Sequence, residues 1–142
     1  MNTARFLLII FSIISSYSIL AQEECKLVKL RISIKNKPQY KEISLCKKTV
    51  AQYDFLYSPN CKNGQCHLLK AIKNKNYKNK FLLGKGNFGS PQYRKCWSID
   101  GRPEKVILEK GFLKGPATLC FSRVDSSVVN FASLYRWHLL DK

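Results

Sequence analysis

The stretch "CKLVKLRISIKNKPQYKEISLC", Cys25 to Cys46, opens with a clean alternation. Val28, Leu30, Ile32 and Ile34 fall on one side, and Lys29, Arg31, Ser33 and Lys35 fall on the other. Successive side chains of a strand point to opposite faces, so period two with β-branched residues marks a half-buried strand. Asn36-Lys37-Pro38-Gln39 reads as a turn, and Tyr40 to Cys46 as the return strand. Cys25 and Cys46 then lie near the open end of a hairpin, where a bridge is geometrically feasible.

The residues that follow continue the β texture. Thr49 to Ser58 is aromatic and is expected to form a third strand. Next comes "SPNCKNGQCHLLK", Ser58 to Lys70, with Cys61 and Cys66 around Asn63-Gly64 and His67 directly after. Zinc would need four ligands where three are offered, with no second pair to complete the set. A redox pair prefers two residues between its cysteines. Asn-Gly is a strong tight-turn signal, so a disulfide closing the neck of that turn is the preferred reading. Cys66 to Lys73 is expected to pair with the third strand, with a short helix as the alternative.

Gly84, Gly86 and Gly89 mark a connection, without the arrangement of a phosphate loop. Ser90 as N-cap and Pro91 at the first position open a helix over Pro91–Ile99. Tyr93, Cys96 and Trp97 share one face of it, and Gly101 serves as C-terminal cap. Glu104 to Lys110 reads as a strand, Gly111 to Pro116 as a turn, and Ala117 to Arg123 as the return strand, with Cys96 placed to bridge Cys120. A short strand around Val128–Phe131 and an aromatic segment end the chain. The fold class is therefore α+β: a small, disulfide-stapled, antiparallel β-rich domain with one short helix near 91–99.

At the other end, Arg5, the apolar block Phe6 to Ile14 and the softer Ser15 to Ala21 follow the order of a secretory signal. The uninterrupted block has nine residues, against the roughly 20 a spanning helix needs. Cleavage after Ala21 would leave residues 22–142. The regions expected are a signal peptide at 1–21, a β-rich region at 22–83 and a helix-plus-hairpin region at 84–142. All six cysteines, Cys25, Cys46, Cys61, Cys66, Cys96 and Cys120, survive this processing. An even count in a small exported protein reads as a disulfide framework whose connectivity the sequence leaves open. The expected location is periplasmic or extracellular.

Residues 22–142 carry 24 basic and nine acidic side chains, a net charge of +15. Such an excess speaks about partners rather than fold. Anionic lipid or an envelope polymer is the partner class expected; the alternative is a merely solvated basic surface. "KAIKNKNYKNK" concentrates the charge: Lys70, Lys73, Lys75, Lys78 and Lys80 surround Tyr77. No period organises it, so it reads as an exposed loop and as the candidate anionic-surface contact. Nucleic acid is disfavoured, because no nucleic-acid fold accompanies the lysines and arginine is scarce there. A protein partner and the oligomeric state are left open.

Gly89 to Trp137 resembles a small bacterial secreted domain of unknown function whose members often carry a haemolysin label. The matching residues are Gly89-Ser90-Pro91, Cys96, Gly101, Cys120-Phe121, Asp125-Ser126-Ser127 and Leu134-Tyr135. Ser90 stands where the family has Asn, Arg102 where it has a second Gly, and the Gly of its Asp-Gly-Ser turn is missing. The resemblance covers about a third of the chain and carries no catalytic residues across.

No catalytic residue, metal ligand set or cofactor is assigned. His67 and His138 are the only histidines, and a ribonuclease-type pair would need both beside one phosphate. The carboxylates are scattered, and no nucleophile motif is present. The expected function is a non-enzymatic binding module for an anionic envelope or membrane surface. The alternatives are a secreted hydrolase, such as a ribonuclease, and an inhibitor of another secreted protein.

Overall fold

The structure, a computed structural model, describes residues 23–80, 89–110 and 114–140. The expected signal segment 1–21, Gly84, Gly86 and the first half of the expected 111–116 turn lie outside the described residues. Six antiparallel strands close into a barrel: β1 (Glu24–Ile34), β2 (Lys37–Val50), β3 (Tyr53–Tyr57), β4 (Gly101–Lys110), β5 (Gly115–Ser122) and β6 (Val128–Asn130). Round the barrel they run β1-β2-β3-β6-β5-β4. Three α-helices are described: α1 (His67–Lys73), α2 (Pro91–Ser98) and α3 (Phe131–Leu140). The α+β expectation holds in its coarse form, and closure of the sheet into a barrel is the feature it did not contain.

The alternation read in β1 holds: Val28 and Leu30 are buried, Ile32 is half-buried, and Ile34 at the hairpin end is exposed. The turn is displaced from its expected place. Ile34 pairs with Lys37, so the turn residues are Lys35 and Asn36, both at positive φ (48° and 62°). Two left-handed residues twist the chain in the sense of the flanking strands, so the register follows the turn geometry rather than Pro38. Pro38 is accommodated because β3 pairs β2 only from Cys46 onward, leaving that edge of β2 free. A second tight turn, Ala51-Gln52 at φ 49° and 69°, separates β2 from β3. The third strand accordingly starts at Tyr53 rather than Thr49.

Alternation also explains two separate cores. Leu45, Leu56, Leu119, Phe121 and Val128 join Val28, Leu30, Val106 and Leu108 inside the barrel. Their strand neighbours Cys46, Phe55, Tyr57, Cys120 and Val129 belong to a second cluster shared with α1, α2 and α3. Strands β3, β5 and β6 are thus buried on both faces, while no described residue of β1 or β4 belongs to the helix-packed cluster. The expected α2 forms one residue shorter than anticipated, with Ser90 as N-cap and Pro91 in the first turn. Its C-terminal reversal uses Asp100 at φ 60°, not Gly101, which already pairs with Ser122 in β4–β5. The terminal aromatic segment forms α3, whose Phe131 packs edge-on against Tyr93 of α2.

All three bridges form: Cys25–Cys46, Cys61–Cys66 and Cys96–Cys120. Cys25 and Cys46 are directly opposed across the first hairpin. Cys96–Cys120 ties α2 to β5. Cys61–Cys66 closes a turn in which Asn63 and Gly64 both have positive φ (63° and 69°). That turn, however, joins a 3-10 segment (Pro59–Gly64) to α1 rather than two strands. Such a framework fits an oxidising, non-cytoplasmic environment. No helix among the described residues is long and apolar enough to cross a membrane.

Candidate anion-binding face

The lysine-rich stretch is not a continuous loop. Its first four residues close α1, where the sequence reading favoured a strand. Leu68, Leu69, Ala71 and Ile72 are buried, while Lys70 and Lys73 are exposed. The apolar positions make the contiguous stripe of a helix lying on a core, and a run this short fits either period until its neighbours are known. Asp125 decides for the helix: its Oδ2 accepts the His67 backbone N–H at 2.7 Å, satisfying one of the donors a helix N-terminus leaves open. Lys70 and Lys73 lie in the last turn, where positive charge suits the helix dipole.

Beyond α1 the chain turns on Asn74, whose backbone oxygen accepts from Tyr77 N–H and whose Oδ1 accepts from Asn76 N–H. This side-chain-assisted turn sends Lys75, Lys78 and Lys80 outward, all exposed. Tyr77 points the other way. Its hydroxyl donates to Asp100 Oδ2 and lies 3.1 Å from His67 Nε2. Because the tyrosine proton is committed to Asp100, its oxygen accepts from Nε2–H, which fixes the histidine proton on Nε2. The same Nε2 lies 3.1 Å from the Ile99 carbonyl oxygen. Burial, and then the Asp100 carboxylate, push the Tyr77 hydroxyl up to about 12, so it remains a donor throughout the physiological range.

Asp100 is fully buried. Its Oδ1 accepts from Lys80 N–H at 2.8 Å, and its own carbonyl accepts from Arg123 N–H at 2.9 Å. One buried carboxylate therefore clamps both the middle and the end of the 74–80 turn. Tyr77 is half-buried and spends its hydroxyl on this clamp, which makes it a positioning residue beneath the lysines. Asp125 holds the other end of the segment: it accepts from Ser127 N–H and Oγ–H as well as from His67. Burial alone would raise the Asp125 carboxyl, but those hydrogen bonds outweigh it and hold it below its ordinary value.

The outcome is a fixed basic strip. Lys70, Lys75, Lys78 and Lys80 have no ion pair among the described residues. Lys73 Nζ sits 5.3 Å from the centre of the Trp137 ring. Beneath it a cavity of about 70 Å3 is bounded by Lys48, Lys62, Lys73, Trp137 and Glu23, which brings two further cations to this side of the molecule. Glu23 offsets one of them, with its Oε2 3.5 Å from Lys62 Nζ. Local positive potential of this kind favours anionic partners.

The remaining candidates are placed elsewhere. His138 lies on α3 beside Trp137, and no hydrogen bond or ring contact joins it to His67 among the described residues. Glu23 lies close to Cys25 and Cys46, but both sulfurs are spent in a disulfide and are not thiolate ligands. The residues missed by sequence reasoning are Asp100 and Asp125. Both were among the scattered carboxylates, and they act on the backbone N–H groups of Lys80 and His67, 20 and 58 positions away respectively. Comparison with protein-family models, curated proteins and solved structures gives no match for this chain.

Proposed function

We propose that the protein is an exported, non-enzymatic basic module that binds an anionic envelope or membrane surface, in the periplasm or outside the cell. The observation carrying this reading is the clamped strip. Five lysines, Lys70, Lys73, Lys75, Lys78 and Lys80, project from one short helix–turn segment whose backbone is held by Asp100 and Asp125. Holding the backbone fixed removes part of the ordering cost that a free lysine tail would pay on binding. Spreading the cations over a helix end and a turn suits a charged surface better than a single small anion. The disulfides fit the compartment, and the basic excess fits an anionic partner.

The test is co-pelleting of the oxidised protein with anionic vesicles. Replacing all five lysines by serine is expected to lower retention and to flatten its dependence on salt, because screened charge contacts are what salt weakens. Retention equal to the unaltered protein contradicts the assignment. Dye release in the same samples reads the lytic activity that the resemblance to haemolysin-labelled domains implies.

A further inference from the structure

The ladder that closes the barrel is short. β1 and β4 pair only at Lys29–Lys110, Leu30–Leu108 and Arg31–Ile107, with a bulge between the first two. The β1–β2 hairpin continues past that point, from Ile32–Gln39 to Ile34–Lys37, without β4. Beside this opening lies a groove of about 820 Å3, within the range of about 300–1,000 Å3 usual for small-molecule sites.

The register says which side chains make it. Tyr40, Arg31, Ile107 and Pro116 stand in one cross-strand row over β2, β1, β4 and β5. Ser33 and Pro38 oppose each other on the same face, as do Lys105 and Thr118. This is the outer face of the barrel, because Leu30, Val106, Leu108 and Leu119 fill the inside. Ile107 is 37% exposed and Tyr40 55%, so an apolar row, interrupted by Arg31, crosses a bare sheet. Arg31 stands within it and Lys105 borders it. Arg31 has Nε 3.6 Å from Glu109, and Lys105 has no ion pair among the described residues. Ile34, 44% exposed, lies at the hairpin end on the opposite face of β1 from this row.

We propose that this groove seats one anionic membrane lipid, with its phosphate between Arg31 and Lys105 and its upper chain along Ile107 and Pro116. The proposal rests on the anionic-surface reading and narrows it from any polyanion to a lipid bilayer. A hydrated polysaccharide would satisfy the two cations and leave the apolar row facing water. A lipid satisfies both, because charge and hydrocarbon lie within one molecule.

The probe is dodecyl phosphate below its micelle-forming concentration, titrated calorimetrically into the full oxidised chain, with dodecyl maltoside as the uncharged control. Saturable one-to-one binding of the phosphate is expected, with the maltoside about ten-fold weaker or more. Lys105→Ser is expected to weaken the phosphate about three-fold, the scale of one exposed charge pair. Ile107→Asp is expected to weaken it about ten-fold, because the alkyl chain then meets a carboxylate in place of an apolar side chain. Both positions are exposed, and an unchanged melting curve verifies that the variants fold. No saturation, equal affinity for the maltoside, or indifference to both substitutions would overturn the proposal. The titration contains no bilayer, so it succeeds or fails independently of the vesicle experiment. Vesicle retention without a groove response leaves the surface reading standing and removes the lipid site.

Discussion

A Cβ placed on Gly101 would lie 2.2 Å from Cys120 Sγ, 2.7 Å from Cys96 Sγ and 2.8 Å from the Cys96 carbonyl oxygen. None of these is the loose end of a flexible side chain. Gly101→Ala is therefore expected to cost about 3 kcal/mol, the upper end of overpacking penalties, in denaturant unfolding of the oxidised protein; unchanged stability would contradict the packing described. The same residue shows what could be read in advance. Its glycine was legible, but as a helix cap. The actual reason, close approach to a disulfide, depends on Cys120, which is distant in sequence. Asp125 makes a second prediction. Its carboxyl lies below its ordinary value of 3.8 in the fold because Ser127, Ser122 and the His67 N–H donate to it. A group depressed by folding adds stability that is present above the unfolded value and lost as pH falls through the folded one. Unfolding scans should show that part of the stability disappearing below about pH 4, and Asp125→Asn should flatten this acid limb. An unchanged limb would remove Asp125 from the account.

At the scale of elements, loop length ranks the three bridges. Cys61 and Cys66 are five positions apart, against 21 for Cys25–Cys46 and 24 for Cys96–Cys120. Chain-entropy arguments assign about 2 kcal/mol to the short loop and about 3.5 kcal/mol to each long one. Paired serine substitutions should follow that order in thermal unfolding, and a Cys61/Cys66 double variant as damaged as the Cys96/Cys120 one would contradict it. The strands were legible wherever one face meets the barrel interior, because alternation survives in the residues themselves, as in Val28-Lys29-Leu30-Arg31. The failures have a common physical origin. Lys35-Asn36 and Ala51-Gln52 form tight turns without glycine; Asn36 marked the first only to within a residue, and no local residue announced the second. In α1, Leu68-Leu69 and Ala71-Ile72 are apolar under either period, and only the cap supplied by Asp125 from another part of the chain separates the two.

For the whole molecule, the strand order keeps its neighbours when β1 is exchanged with β4, β2 with β5 and β3 with β6. The barrel is two three-strand meanders joined by β1–β4 and β3–β6. The first meander lies within residues 22–83 and the second within 84–142. Closure was illegible because it depends on pairings far apart in the chain, such as Tyr57 with Val129. Each half alone would expose its barrel-facing residues and two strand edges. Fragments 22–83 and 84–142 should each lack a cooperative melt when expressed separately, whereas a cooperative transition in either would contradict the shared core. The basic strip was legible as charge; its rigidity was not, since Asp100 supplies it. The most direct test of the central claim is co-pelleting of the oxidised, unaltered protein with anionic and neutral vesicles at low and high salt. The account predicts retention on the anionic vesicles alone, lost as salt rises. Equal retention on neutral vesicles, or none on anionic vesicles at low salt, would contradict it.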